Sequence, residues 1–240
     1  MNAIEVTNLT KRYGNLNAVN NINFNIEAGK IVGIVGANGA GKTTMLEMMV
    51  GIRKPTIGNI RLMDTDIHEN EYVAKNKIGV LLQEQCVNKY AKVIELFNFY
   101  HDLYENPIDV EEMLDTVNLQ DYRNVKFKNL SGGLKQRAAL GLAMINNPDI
   151  LFLDEPTTGL DPEARRTLWK AIFKFKSDNK TVVLSSHYMD EVQKYCDEVI
   201  IMKKGEIIQK NTPEALIKSV GDNKFMDDAY LYYAVGEEVG

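Results

Sequence analysis

The sequence predicts an α/β fold: a mixed sheet, opened by an N-terminal antiparallel β region and interrupted by an inserted α-helical subdomain. Three observations predict it. Two runs alternate apolar and polar positions, Ile4, Val6 and Leu9, then Val19, Ile22, Phe24 and Ile26, on either side of a turn at Tyr13-Gly14-Asn15, as in antiparallel strands with one buried face. Ile31-Val32-Gly33-Ile34-Val35 is almost continuously apolar and ends in glycine-rich sequence, the pattern of a strand buried on both faces of a parallel sheet. Between residues 84 and 149 the period becomes helical: Val93, Leu96, Phe97 and Tyr100 share one face, and Val110, Met113, Leu114 and Val117 another.

The other elements follow in order. Residues 42–50 read as a helix stopped by Gly51, and Lys54-Pro55-Thr56-Ile57-Gly58 as a turn before a strand over 59–63. A strand is expected at 78–82. Further buried strands at 150–153 and 182–184 flank a helix over 162–176, which Asp161 caps with Pro162 at its first position. Residues 199–202 and 206–208 pair as a hairpin across Lys203-Lys204-Gly205. From Asn211 onward there is one helix-like stretch and an aromatic cluster, Tyr230, Tyr232 and Tyr233, to which the pattern assigns no element. The chain thus reads as one domain over 1–240, with a core at 1–83 and 150–210, a helical subdomain at 84–149 and a short C-terminal tail at 211–240.

Composition narrows the function. The 240 residues are 45% hydrophobic and 25% charged, with net charge -5, so the overall balance argues against a nucleic-acid partner held by phosphate neutralisation. Residues 1–10 lack the basic, apolar and cleavable parts of a secretory signal. The most apolar runs are far shorter than the roughly 20 residues of a membrane-spanning helix, so a cytoplasmic chain is expected and any membrane role requires a partner. Cys86 and Cys196 have no metal-ligand or disulfide spacing and read as free thiols in a reducing compartment.

Gly36-Ala37-Asn38-Gly39-Ala40-Gly41-Lys42-Thr43 matches the phosphate-binding P-loop and stands between a buried strand and a helix, the context that motif requires. Glycines let backbone N–H groups curl around phosphate oxygens, and the helix directs its positive end at them. Lys42 is placed to neutralise the β and γ phosphates, and Thr43 to offer a hydroxyl to Mg²⁺. Ile150-Leu151-Phe152-Leu153 then carries Asp154 and Glu155 to the end of a buried strand. Asp154 is placed to hold Mg²⁺, directly or through water, and Glu155 to accept the proton of an attacking water; the alternative for the pair is the start of a turn before Pro156.

Leu130-Ser131-Gly132-Gly133-Leu134-Lys135-Gln136-Arg137 resembles the signature motif of ATP-binding cassette (ABC) ATPases. The order of P-loop, Gln83, signature, Asp154-Glu155, Asp161 and His187 is also similar to that family's, over residues 2–210. Ser131 can cap the following helix, while Gly132 and Gly133 leave backbone N–H groups open to an anion. The resemblance implies that this second clamp serves ATP bound to an opposite chain, so that two cassettes, here expected to form a homodimer, sandwich two nucleotides head to tail. It implies ATP and Mg²⁺ as cofactors and nucleotide contacts from Gly36, Asn38, Gly39, Ala40, Gly41, Lys42, Thr43 and Thr44.

Further roles also rest on the resemblance. Tyr13 resembles the aromatic residue that stacks on adenine, and Gln83 the glutamine that contacts Mg²⁺ and the attacking water, with Gln85 as its competitor. His187, after the strand at 181–186, resembles the switch histidine that contacts the γ-phosphate and organises the catalytic glutamate; His68 and His101 have no such place. Asp161 resembles an acidic residue that signals between the two nucleotide sites, a role compatible with capping its helix. Ala37 replaces a common proline and Thr43 a common serine, and neither change removes a phosphate or metal contact.

The implied activity is ATP hydrolysis coupled to transport through integral membrane subunits, from the inner face of the cell membrane. A groove beside Gln83, with Cys86, Val87 and Tyr90 near it, is expected to receive a membrane-subunit helix. The Pro156-Thr157-Thr158-Gly159-Leu160-Asp161-Pro162 stretch and short tail look most like export systems for drugs, peptides, polysaccharides or lipids. Two other readings stand beside it: a soluble ABC ATPase acting on ribosomes or DNA, and a non-hydrolysing module that uses ATP only to dimerise.

Overall fold

The structure, a computed structural model, describes residues 1–82 and 87–236; Gln83, Gln85 and Cys86 lie outside the described residues. The chain runs through β1 (Asn2–Tyr13), β2 (Leu16–Glu27), β3 (Ile31–Val35), α1 (Lys42–Met49), β4 (Ile57–Leu62), β5 (Thr65–Asp66), α2 (Glu71–Asn76) and β6 (Ile78–Leu81). Helices α3 (Val93–His101), α4 (Val110–Thr116) and α5 (Gly132–Met144) follow. The chain then returns to α/β order with β7 (Ile150–Asp154), α6 (Pro162–Ser177), β8 (Thr181–Ser185), α7 (Met189–Tyr195), β9 (Glu198–Lys203) and β10 (Glu206–Asn211), and ends in α8 (Pro213–Val220), α9 (Met226–Tyr230) and a π-helical turn over Leu231–Val235.

Two sheets result. The antiparallel sheet has strand order β2-β1-β4-β5, and the mixed sheet β10-β9-β3-β8-β7-β6, parallel throughout except for β10 at one edge. Alternation inside the buried strands explains why their sequences are apolar throughout. Val32 and Ile34 of β3 join a core with Met45 and Met48 of α1 and with Ile4 and Leu9 of β1. Ile31 and Val35 point the other way, into a core shared with Leu140 of α5 and with Leu168 and Ile172 of α6. Phe152, only 1% exposed on β7, belongs to the first of these cores; truncating such a phenylalanine to alanine costs about 3–5 kcal/mol.

Edge strand β6 meets α5 closely. A Cβ on Gly79 would lie 1.9 Å from the Ala143 carbonyl oxygen, so the absent side chain is what lets the helix backbone reach the sheet. Asn146 ties the same junction by donating from Nδ2 to the Ile78 carbonyl at 2.9 Å.

Several expectations need adjustment. The strand expected at 59–63 begins earlier, at Ile57, and Met63 lies in a left-handed turn with Asp64, at φ +46° and +65°. Helices α2 and α7 carry too few apolar positions to announce themselves by periodicity. The aromatic tail has a defined place: Tyr230 and Tyr233 pack on the core, and the Tyr233 hydroxyl lies 2.8 Å from the Ser219 hydroxyl on α8. Met226, fully buried, donates its N–H to Gln193 Oε1 of α7 at 3.0 Å.

Candidate functional site

The site assembles where β3, β7 and β8 end. Gly41, at φ +103°, occupies the N-cap of α1, and a Cβ there would come within 2.4 Å of the Ala18 carbonyl oxygen; both facts require glycine. The turn into α1 folds Lys42 back over the loop. Its side chain is 7% exposed, and Nζ donates to the Gly36 carbonyl at 2.7 Å and the Ala37 carbonyl at 3.2 Å. Burial pushes the Lys42 pKa below its ordinary 10.5, while Glu155 and Asp154 pull it back up.

Asp154, 3% exposed, stands at the end of β7 opposite Ser185 of β8 in parallel register. Its Oδ2 accepts from the Thr43 hydroxyl at 3.3 Å, and its Oδ1 from the Ser185 hydroxyl. The same Ser185 oxygen accepts the Glu155 N–H at 2.9 Å. Ser185 therefore fixes both carboxylate residues, a role that sequence reading missed; its signal was the register of two buried strands, not any motif.

Glu155 has φ +49°, a left-handed backbone that non-glycine residues seldom adopt. This twist turns the chain out of the strand and leaves the carboxylate facing two loops. Its Oε2 accepts from the Thr158 hydroxyl at 3.2 Å and lies 3.5 Å from His187 Nδ1. The His187 ring packs against Tyr188 at 4.2 Å between centroids.

Ser131 and the two glycines after it sit at the N-terminus of α5, where Ser131 Oγ accepts the Leu134 N–H at 3.4 Å. Both Ser131 and Gly132 are exposed, and a side chain on Gly132 would meet open space. Asp161 caps α6 by accepting the Ala164 N–H at 2.9 Å. Tyr13 is 42% exposed, with Lys11 Nζ 5.4 Å and the Arg53 guanidinium 5.5 Å from its ring centroid. The geometry therefore brings Lys42, Thr43, Asp154, Glu155 and His187 together and leaves Ser131, Gly132 and Gly133 at the N-terminus of α5, with Ser131 and Gly132 exposed and Gly133 against Ala164 of α6. Gln83 lies outside the described residues.

A family model described as ABC transporter matches residues 19–158. Curated relatives include Nod factor export ATP-binding protein I of Burkholderia lata, 35% identical over 221 residues, a match spanning 90% of this chain and 73% of the relative.

The chain belongs to the ABC transporter family.

Its fold agrees with solved members. An ATP-binding subunit of an ABC transporter superposes with TM-score 0.87 at 22% identity, over 96% of this chain and 99% of the other. A dimeric ATP-binding cassette in a post-hydrolysis state, bound to ADP and Pi, matches with TM-score 0.78 at 28% identity, over 87% and 98%. This ABC protein is an ATPase. No helix among its described residues is long and apolar enough to cross a membrane.

An apolar groove of about 400 Å³ also opens between edge strand β6, α3 and α5 of the ABC ATPase. It is lined by Leu81, Val87, Tyr100, Tyr104, Ala139 and Leu142. Val87 lines this groove, whereas Tyr90 is exposed with the Lys128 ammonium 4.7 Å from its ring centroid.

Proposed function

We propose that ATP hydrolysis by this chain drives export through separate integral membrane subunits, with two copies closing head to tail on ATP. The observation that carries the chemistry is the turn at Glu155. Its left-handed backbone leaves Oε2 within 3.5 Å of His187 Nδ1, at the strand end that also bears Asp154 beside Thr43. A carboxylate held there takes the proton of a water as the water oxygen bonds to the γ-phosphorus and ADP departs. His187 orients that carboxylate and contacts the γ-phosphate. Lys42, partly desolvated and held by the Gly36 and Ala37 carbonyls, exchanges them for phosphate oxygens, the stronger acceptors.

The loop residues Gly36, Asn38, Gly39, Ala40, Gly41 and Thr44 supply the remaining phosphate contacts, and Tyr13 the face for adenine. The Ser131-Gly132-Gly133 donors at the N-terminus of α5 serve the nucleotide of the opposite chain, with Asp161 close to that junction. A hydroxyl and a carboxylate 3.3 Å apart fit Mg²⁺, which takes few protein oxygens and keeps water and phosphate as its other ligands. Thr43 and Asp154 would hold it, with Gln83 from the segment outside the described residues. Bound there, Mg²⁺ offsets the charge that develops on the phosphates.

In this reading 1–83 and 150–210 form the nucleotide-binding core, 84–149 the helical subdomain and 211–240 the tail. The chain works peripherally on the inner face of the membrane, with the β6–α3–α5 groove receiving a helix of the membrane subunit. The export direction follows the relative named above, an export ATP-binding protein.

ATP turnover of the purified chain, measured across protein concentration with Glu155→Gln alongside, tests the reading. Turnover per chain should rise with concentration, and Glu155→Gln should bind ATP, dimerise and remain inactive. A wild-type chain that binds ATP but is silent at every concentration, and also with its membrane subunits, defeats it in favour of a non-hydrolysing dimerisation module.

A further inference from the structure

Behind the Glu155–His187 pair lies a buried carboxylate that the proposed chemistry does not use. Glu191, on α7 four residues after His187, is 3% exposed. Its Oε2 accepts from the Thr157 hydroxyl at 2.7 Å, and its Oε1 lies 3.1 Å from Arg165 Nε of α6, a charge contact and not a well-aligned hydrogen bond. Burial pushes the Glu191 pKa above its ordinary 4.5, against the pull of Thr157 and Arg165. A buried ionisable group held by the Thr157 hydroxyl, an imperfect ion pair with Arg165 and the neighbouring Trp169 indole is an expensive way to join two elements.

What it joins explains its presence. Thr157, 2% exposed, belongs to the loop that leaves Glu155. Arg165 stacks its guanidinium over the Tyr188 ring at 4.3 Å, and Tyr188 in turn packs on His187. The Val192 N–H donates to the Tyr188 carbonyl, so the first turn of α7 carries Glu191 and Tyr188 as one rigid piece. One carboxylate therefore ties the loop after Glu155 to the segment that presents His187, through Thr157 on one oxygen and through Arg165 and Tyr188 on the other.

We infer that Glu191, with Thr157 and Arg165, is a positioning device that sets the distance and angle between His187 and Glu155. The inference rests on the proposed roles of those two residues. Catalysis is sensitive to such geometry: a misplacement of about 1 Å can cost about 100-fold in rate. Glu191→Gln keeps the shape and an oxygen for Thr157 but removes the charge that holds Arg165. Thr157→Val removes the hydroxyl alone, and Thr157→Ser restores it.

The experiment reads His187 directly. In ¹³C-histidine-labelled full-length protein the three ring signals, His68, His101 and His187, are assigned by substitution. Glu191→Gln and Thr157→Val should move or broaden the His187 signal while His68 and His101 stay in place, and Thr157→Ser should return it to the wild-type position. In parallel, kcat should fall about 10- to 100-fold in both variants with KM for ATP unchanged, and Glu191→Gln should add no further loss in a His187→Ala background.

A His187 signal that is unmoved in both variants, or a penalty that adds in full to His187→Ala, overturns the inference. If Glu191→Gln does not fold, the Thr157 pair answers the same question. His187→Ala with wild-type turnover defeats the proposed role of His187 instead, an outcome that the ring signals keep separate from failure of the positioning device.

Discussion

The Thr43 hydroxyl lies 3.3 Å from Asp154 Oδ2, although the two residues are 111 apart in the chain. Parallel strands β3 and β7, separated in the sheet by β8, bring both to the same end. The Thr43 hydroxyl and an Asp154 carboxylate oxygen meet there, and no cluster of three or more His, Cys, Asp or Glu occurs among the described residues. That scarcity suits Mg²⁺ with water and phosphate as its further ligands. Chelation with EDTA should therefore stop turnover while fluorescent-nucleotide binding persists at lower affinity. Asp154→Asn should lower kcat by about 100-fold or more at saturating Mg²⁺. Full Mg²⁺-dependent turnover in Asp154→Asn would count against the assignment.

Tyr13 presents an exposed ring with the Lys11 ammonium and the Arg53 guanidinium beside it, and in the proposed reading it meets the adenine and not the reacting phosphates. Tyr13→Ala should accordingly weaken binding without slowing chemistry. The expected rise in KM for ATP is about five- to tenfold, corresponding to about 1 kcal/mol of aromatic stacking, at unchanged kcat. A fall in kcat with constant KM contradicts the adenine-face reading.

Glu198 at the start of β9 links the strand that leads into the phosphate loop to its neighbour: Lys30 Nζ lies 2.6 Å from one carboxylate oxygen and Lys210 Nζ 3.0 Å from the other. Burial alone would raise the carboxyl pKa, but the two ammonium groups outweigh it and hold it below 4.5. The unfolded chain thus binds this proton more readily, and stability rises with pH through the interval below 4.5. The contribution is complete above 4.5 and lost as pH falls through the folded value. Glu198→Gln should cost about 1 kcal/mol at pH 7, seen as a lower urea midpoint, and progressively less as the pH falls below 4.5. A deficit that stays constant across that range excludes the ion pairs as its source.

How much of this could be read from the sequence depends on range. The P-loop, the Asp154-Glu155 strand end and the Ser131 and Asp161 caps were legible because each is a local pattern with a local physical cause. What escaped were relationships across elements. Ser185 contacts Asp154 only through parallel register, and Glu191 meets Thr157 only once α7 folds against the loop after Glu155. Tyr233 found its place through Ser219 on a neighbouring helix. Gly79 belongs to the same class, since nothing in its own strand's sequence shows which backbone it faces. With the Ala143 carbonyl 1.9 Å from its missing Cβ, Gly79→Ala must push α5 from the sheet. The expected cost is about 2 kcal/mol or more, measured as a drop of roughly 4–8 °C in Tm. An unchanged Tm means that α5 can shift freely, against the packing described.

The exposure of Ser131 and Gly132 allows the sharpest test of head-to-tail pairing. A side chain on Gly132 meets open space, so Gly132→Asp should fold normally and bind ATP in its own phosphate loop. The added carboxylate would nevertheless repel the γ-phosphate of an opposing chain. Lys42→Ala has the reverse defect: its α5 donors are intact, but its own phosphate loop lacks the cation. Each variant alone should lose about 100-fold or more in turnover. In a head-to-tail pair, however, each site takes its loop from one chain and its α5 donors from the other. A mixed dimer therefore contains one intact site, made of the Gly132→Asp loop and the Lys42→Ala donors. Random pairing of equal amounts makes half of the dimers mixed, with one of two sites whole, so turnover should recover to about a quarter of wild type. If each chain instead built its site from its own residues, mixing would restore nothing, because both variants would carry a broken site into every pair.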